Sequence, residues 1–182
     1  MRIGIIIGSV RNGRKGEAVG RWVHELASAR GDAEYELIDL KSLGVPMLTA
    51  PTMPSAANRV YDEPEVRAWS KAIDGCDGFV FVTSEYNHGV PGAFKNAIDS
   101  LGPEWVGKTV GFVSYGADNG IRAVEQWRQI VANFQMVDVR AICPLSNFTD
   151  FDEDGFAPAE RRAGEVGTVL DQLVAMTARL TA

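Results

Sequence analysis

The sequence is poor in the two side chains that most often form zinc sites. Its 182 residues include two cysteines and two histidines. Cys76 and Cys143 are far apart in the chain and form no CxxC pair, which argues against a Cys/His zinc site. We therefore expect no bound metal. We also expect both thiols to be in the reduced form that is usual for a cytoplasmic protein.

Long apolar runs and basic tracts are also missing. No segment approaches the ~18 consecutive apolar residues of a membrane-spanning helix. Residues 1–13 lack the apolar region and the cleavage site of a signal peptide. The chain has 18 Lys and Arg against 24 Asp and Glu, a net charge of −6, which disfavours sequence-independent binding to nucleic acid. We expect a cytoplasmic protein with neither membrane nor nucleic-acid partners.

The apolar content is sufficient for a folded core. Apolar residues make up 46% of the chain, and its length corresponds to about one domain of ~150 residues. A chain of this size buries roughly 70% of the surface exposed when it is unfolded, so it needs no disulfide or metal to fold. A single domain over residues 1–182 is predicted.

Short apolar segments alternate with amphipathic ones along the whole chain. The first, third and fourth apolar segments lack polar alternation, as is typical of strands buried on both faces of a parallel sheet, and the other two resemble edge strands. The pattern predicts a doubly wound, three-layer α/β/α domain with a five-stranded parallel sheet. Strands are predicted at 2–8, 35–40, 78–83, 109–114 and 137–142, and helical stripes at 18–26, 66–73, 94–101, 121–134 and 166–177.

Two segments interrupt this alternation. Residues 44–64 contain four of the eight prolines, and because proline fixes φ and removes a donor, an ordered loop is predicted there. Residues 146–158 are acidic and rich in turn-forming residues, which favours a solvated connector.

The loop after the first strand concentrates positive charge. Between Gly8 and Gly16 it carries Ser9, Arg11, Arg14 and Lys15, and it opens a helix whose N-terminus attracts anions. The GxxxxGK[ST] and GxGxxG motifs both fail here. A terminal monophosphate is the ligand that the loop fits better, and a solvated basic turn is the alternative.

Polar residues also follow the third and fourth strands. For the strand order 2-1-3-4-5, a ligand is expected between strands one and three, beyond their carboxyl ends. The segment SEYNHGVPGAFKNAID (84–99) forms a tight turn into a helix there, and Tyr115 to Gly120 follow the fourth strand. Such turns present backbone N–H and C=O groups to a flat heterocycle. Tyr86 and Tyr115 either flank that ring or are half-buried aromatics with solvated hydroxyls.

The segments 8–19 and 84–99 resemble those of the NADPH-dependent FMN reductases, a family of flavodoxin-like fold that includes quinone, azo-dye and chromate reductases. The resemblance implies FMN as cofactor, NADPH or NADH as co-substrate, a small-molecule electron acceptor and a homodimer or homotetramer. It implies a phosphate cradle, a loop along the isoalloxazine and a third loop at the ring's other edge. The residues implied are Ser9, Arg11, Arg14, Lys15, Gly16, Glu17 and Ala18; Ser84, Glu85, Tyr86, Asn87, His88 and Gly89; and Ser114, Tyr115 and Gly116.

The sequence departs from the family pattern in two places and leaves three questions open. Ser84 stands where the family usually has proline, and the loop Gly116 to Gly120 is poorer in glycine. His88 is either a donor to the ring or substrate, or a surface turn residue. The electron acceptor is not identified, and a quinone, azo compound, metal oxyanion or free flavin are all compatible. Two other classes are a flavodoxin-type electron carrier without NADPH turnover and a nucleotide-binding module without redox activity.

Overall fold

The computed structural model describes all residues, 1–182. Its main sheet has five parallel strands in the order β2-β1-β3-β4-β5, which confirms the predicted fold class and both predicted edge strands. The strands are β1 (Arg2–Ile7), β2 (Glu34–Asp39), β3 (Gly78–Ser84), β4 (Thr109–Gly116) and β5 (Val137–Ser146), and a two-stranded hairpin contains β6 (Phe151–Asp152) and β7 (Gly155–Phe156).

Six helices accompany the sheet. They are α1 (Gly16–Ser28), α2 (Leu40–Leu43), α3 (Pro64–Asp74), α4 (Gly92–Asp99), α5 (Ile121–Asn133) and α6 (Arg161–Leu180). The apolar stripes of α1 and α6 pack on one face of the sheet, and those of α3, α4 and α5 pack on the other. No helix combines the length and apolar character needed to cross a membrane.

The helices cover both sheet faces because the central strands are apolar on both sides. Every residue of β3 and β4 is buried, as the absence of alternation predicted. In register, Ile5 pairs with Leu37 on one side and Val80 on the other. All five strands are parallel, so their carboxyl ends form one rim of the sheet.

The proline-rich segment is largely the predicted loop, with one 3₁₀ turn at Pro54–Ala56. Pro64 was assigned to this loop, but it begins α3, where the missing N–H of proline costs no helical hydrogen bond. Two anchors hold the segment. Asn96 bonds the backbone of Pro46 and Leu48, and the buried Glu104 accepts from the Tyr61 hydroxyl.

The prediction of a solvated connector at 146–158 was only partly right, because Asp152, Glu153 and Asp154 are exposed but the segment also contains β6, β7 and one buried carboxylate. Asp150 is fully buried and forms an ion pair with Arg162. It also accepts the backbone N–H groups of Ser146 and Ala159. These bonds fold the acidic segment against α6, because a buried carboxylate is tolerated only where cations and N–H groups surround it.

Candidate functional site

The three predicted loops meet at the carboxyl rim of the sheet, around a cavity of about 110 Å³. Seven of the sixteen predicted site residues line it, and Asn147 is an additional lining residue. The lining consists of Arg11, Lys15, Ser84, Glu85, Tyr86, Tyr115, Gly116 and Asn147.

Arg14 organises the first loop from inside. Its Nη1 and Nη2 each lie 2.6 Å from an oxygen of Asp39, at the end of β2, and Nη1 also donates to the Ser9 carbonyl at 2.7 Å. The prediction that Arg14 offers its fork of donors to the ligand is therefore not supported; only Nε lacks a partner. The hydrogen bonds that Arg14 donates to Asp39 raise the Arg14 pKa. Burial would raise the pKa of Asp39, but Arg14 holds it below its usual value.

Three buried hydroxyls near this loop have no hydrogen-bond partner. They are those of Ser9, Ser84 and Tyr115, and each residue is at least nine-tenths buried. Orphaned buried hydroxyls are costly in a folded protein and indicate a missing polar partner. Their position suits the phosphate or another polar part of FMN.

Gly16, the first residue of α1, is required for this arrangement. A Cβ placed there would lie 2.4 Å from both the Ser9 Oγ and the Tyr115 hydroxyl oxygen. No side chain caps the N-terminus of α1, although the first N–H groups of a helix have no partner within it. The two hydroxyls therefore converge beside an uncapped helix end, which is a favourable environment for an anion.

The two tyrosines of the site have different environments. Tyr115 is 95% buried and packs in the core with Val19 and Val113, so its predicted alternative as a half-buried aromatic was wrong. Burial raises the pKa of its hydroxyl, and the nearby Ser9 and Ser84 oppose part of this rise. Neither serine forms a hydrogen bond with the Tyr115 hydroxyl. It is therefore a proton-bearing donor at neutral pH. Tyr86 is 40% exposed and presents its ring to solvent.

The remaining residues of the first loop surround the helix end. Arg11 is exposed and makes no ion pair, while Lys15 lies with its Nζ 4.2 Å from the centre of the Phe151 ring. Glu17 pairs with Arg14 of the first loop and Arg21 of α1, so its carboxylate is engaged within the protein. Ala18 is exposed.

The loop from Glu85 to Pro91, called here the β3–α4 loop, is a tight turn. Tyr86 and Gly89 exchange two backbone hydrogen bonds, of 3.0 and 3.1 Å. Between them, Asn87 and His88 have φ values of 47° and 74°. Two consecutive left-handed residues are typical of a type I′ turn, and both are exposed.

Tyr115 and Gly116 were predicted to follow the fourth strand, but they are the last residues of β4, and the third loop, residues 117–120, is fixed by contacts with the end of that strand. The buried Ser114 donates its hydroxyl to the Asn119 carbonyl at 2.8 Å, so this side chain holds the loop together and does not face the cavity. The Gly116 carbonyl accepts from the N–H groups of Asn119 and Asn147. Gly116 itself lines the cavity, as predicted.

Asn147 is the residue that sequence reasoning missed. Its buried Oδ1 has no hydrogen-bond partner, and it lines the cavity. The fifth strand was predicted to end at Ile142, but β5 continues to Ser146. Asn147 is therefore the first residue after a strand that ends at the same rim. If β5 had been predicted to end at Ser146, this position would have marked Asn147 as a candidate site residue.

A larger cavity of about 510 Å³ lies within the proline-rich segment. Its lining runs from Pro46 to Val66 and includes Ser100, and it shares no residue with the three loops. The smaller cavity is the candidate site, because it is lined by Ser84 and Tyr115, two of the three residues with unpartnered hydroxyls, and by the cations of Arg11 and Lys15. Neither cysteine belongs to it. Burial raises the pKa of Cys76 to about 11 and that of Cys143 to about 12, so both thiols are unreactive.

Comparison with known proteins finds similar reductases. The chain is 37% identical over 135 residues to an NAD(P)H-dependent FMN reductase of Schizosaccharomyces pombe, covering 74% of this chain and 68% of the relative. It is 34% identical over 156 residues to an NAD(P)H-dependent FMN reductase of Nectria sp, covering 82% and 78%. A quinone reductase of Pseudomonas putida is 29% identical over 145 residues, covering 74% and 71%.

The fold is also found in a solved structure. The flavoenzyme NAD(P)H:(acceptor) oxidoreductase of Paracoccus denitrificans superposes with a TM-score of 0.72 at 19% identity, over 98% of this chain and 97% of the other. The profile of the NADPH-dependent FMN reductases matches residues 1–150. The chain therefore belongs to the NADPH-dependent FMN reductase family, whose members use FMN with NAD(P)H as electron donor.

Proposed function

We propose that this FMN-dependent NAD(P)H oxidoreductase delivers its electrons to a small quinone. The names of its relatives, among them the quinone reductase of Pseudomonas putida, support this acceptor class. The observation that carries the cofactor site is the set of orphaned hydroxyls of Ser9, Ser84 and Tyr115 at one rim. When bound, FMN supplies the two-electron chemistry, and the protein supplies position and electrostatics.

The phosphate of FMN would bind at the first loop. Arg11 and Lys15 offer positive charge there, Ser9 offers a hydroxyl, and the backbone of Gly16 to Ala18 offers N–H groups at the uncapped end of α1. Arg14 would act indirectly, since its bonds to Asp39 and to the Ser9 carbonyl hold the loop in shape. A charge-assisted contact contributes roughly 1.5–3 kcal/mol.

The flavin ring would lie along the β3–α4 loop and the third loop. Ser84, Glu85 and Tyr86 line the cavity on one side and Gly116 on the other. Asn87, His88 and Gly89 form the turn whose backbone would meet the polar margin of the ring, and Tyr115 and Ser114 support the wall behind. The exposed Tyr86 leaves aromatic surface for a second flat molecule.

The activity is tested by mixing protein, FMN and NADPH and following nicotinamide absorbance with an acceptor panel. Oxidation that depends on protein and is fastest with quinones is expected. Faster turnover with azo compounds, metal oxyanions or free flavin would replace the quinone assignment. A flavodoxin-type carrier would bind FMN without oxidising NADPH, and a nucleotide-binding module without redox activity would ignore FMN.

The phosphate assignment is tested with Arg11→Ala. We expect FMN to bind about tenfold or more weakly and riboflavin to bind equally, because only the phosphate contact is removed. Arg140→Ala, which removes another exposed arginine that makes no ion pair, is the matched control. If Arg11→Ala retains a full complement of FMN on purification, the assignment of the phosphate to this loop is wrong.

Two further properties of the family are carried over as proposals. A homodimer or homotetramer would cover apolar side chains such as Met47, Met53 and Val60, which are about 70% exposed or more. Cytoplasmic location agrees with the two free, buried cysteines. Light scattering of the purified holoprotein would determine the oligomeric state.

A further inference from the structure

Helix α5 contacts the β3–α4 loop from behind with two polar side chains. Gln126 donates from Nε2 to the His88 carbonyl at 2.9 Å and accepts from the Val90 N–H at 3.2 Å. Arg122 donates to the His88 Nδ1 at 2.8 Å. Neither Gln126 nor Arg122 lines the cavity, so both act on the site only through this loop.

Glu85 makes a second connection to the same helix. Its side chain is 8% exposed, and its two oxygens lie 3.1 Å from the Arg122 backbone N and 3.3 Å from the Arg122 Nε. Asp118 pairs with the same guanidinium. Arg122 therefore joins the first residue of the loop, Glu85, to its turn at His88.

The loop needs such support because its turn is strained. A pair of left-handed residues is easily formed by Asn-Gly, but here the second position is His88, at φ 74°. A side chain with a Cβ pays a steric cost in this region that glycine does not. Without bonds from outside, the loop would populate other conformations. The affinity of a ligand that binds only the observed turn would then fall in proportion to the fraction of molecules that still have this turn.

We propose that Gln126 and Arg122 are positioning residues that hold the Asn87–His88 turn in its left-handed conformation and so keep the β3–α4 loop competent to bind flavin. This inference rests on the proposed function, since it takes the β3–α4 loop as the wall along the flavin ring. Helix α5 lies close enough to the β3–α4 loop for its side chains to hold the turn. A Cβ added at Gly89 would already lie 3.0 Å from the Gln126 Oε1.

The experiment measures FMN dissociation constants of the apoprotein by quenching of flavin fluorescence. Gln126→Met keeps the length of the side chain but removes both hydrogen bonds, and we expect it to weaken FMN binding about tenfold. Gln129→Met, on the exposed side of the same helix, is the matched control and should bind FMN as the wild type does.

The decisive comparison repeats Gln126→Met in two backgrounds. His88→Ala removes the imidazole but keeps the Cβ, so the roughly tenfold effect of Gln126→Met should persist. His88→Gly removes the strain, and the effect should fall below about threefold. Equal factors in all backgrounds, or wild-type affinity in Gln126→Met, would overturn the proposal.

Two controls separate the possible failures. Urea unfolding of each apoprotein confirms that the variants fold, and a variant that loses stability but keeps its FMN affinity counts against positioning. If wild-type apoprotein itself binds no FMN, the proposed function fails before any variant is compared. If the wild type binds FMN but Gln126→Met weakens binding by the same factor with and without His88→Gly, only the inference about positioning fails.

Discussion

At the scale of residues, the first loop depends on which polar side chains already have a partner within the protein. The sequence places Ser9, Arg11, Arg14 and Lys15 there, but their roles differ by burial. The guanidinium of Arg11 makes no ion pair, whereas that of Arg14 is hydrogen-bonded to Asp39. Ser9 is buried with its hydroxyl unpartnered. The residue type determines which interactions a side chain can make. The local packing determines whether its partner is a ligand or another part of the protein.

At this scale, Gly16→Ala is expected to damage the site more than the fold. The new Cβ would lie 2.4 Å from the hydroxyls of Ser9 and Tyr115, so these must move and the cradle would close. We expect FMN affinity, measured by fluorescence quenching, to fall at least tenfold.

The matched control for this variant is Gly164→Ala, in a helix where the added Cβ meets no atom within 4 Å. This change should raise stability by about 0.5–1 kcal/mol, because alanine loses less chain entropy on folding, and it should leave FMN affinity unchanged. Unaltered FMN binding by Gly16→Ala would show that the helix end does not form the cradle.

At the scale of elements, loops at the rim depend on neighbours that are distant in sequence. The first loop is fixed by Asp39 at the end of β2, and the β3–α4 loop is fixed by α5. The acidic segment is fixed by Arg162 in α6 and places Asn147 in the cavity wall. Each loop therefore gains its shape from a contact that local sequence does not contain.

Asp150→Asn tests the acidic segment. Removing the charge leaves the buried Arg162 without its main counterion, and breaking a buried pair in this way costs about 3–5 kcal/mol. We expect a corresponding loss of unfolding free energy in urea. Asp154→Asn, at an exposed position of the same segment, should change stability by less than about 0.5 kcal/mol. Equal stability of the two variants would contradict a structural role for the ion pair.

At the scale of the whole molecule, acid stability depends on the buried carboxylate of Asp150 and the half-buried one of Asp39. Burial opposes ionisation of Asp150, but Arg162 and backbone N–H groups hold its pKa below the usual value. Arg14 does the same for Asp39. A pKa that is lower in the folded state contributes stability that is present above the unfolded value of about 3.9 and is lost as the pH falls below it.

The urea midpoint should therefore be nearly constant from about pH 5 to 7 and should decline steeply below about pH 4. In Asp150→Asn the midpoint is lower throughout, and its decline with acid is shallower because one linked proton is missing. A wild-type midpoint that rises on acidification would contradict the assignment of these two carboxylates as ionised in the folded protein.

The sequence by itself determined the architecture. Apolar runs without alternation identified the buried central strands, and helical stripes between them required parallel crossovers, because each apolar face needs a covering layer. The alternation did not itself set the order of the strands; the order 2-1-3-4-5 and its switch point were taken from the flavodoxin-like fold, and the structure confirms that order. The loops at 8–16 and 84–91 could be selected for the same reason, since strand ends at the switch point are where backbone groups are free.

Tertiary structure alone decided which side chains remain available in those loops. Asp39, Arg122, Gln126 and Asp150 carry no local pattern that marks them, because a hydrogen bond or ion pair depends on distances between elements that sequence spacing does not encode. The same reason explains the buried Tyr115, the occupied Arg14 and the unexpected Asn147. Periodicity reports which face of an element is buried, whereas the partner of each polar atom is set only when the elements pack together.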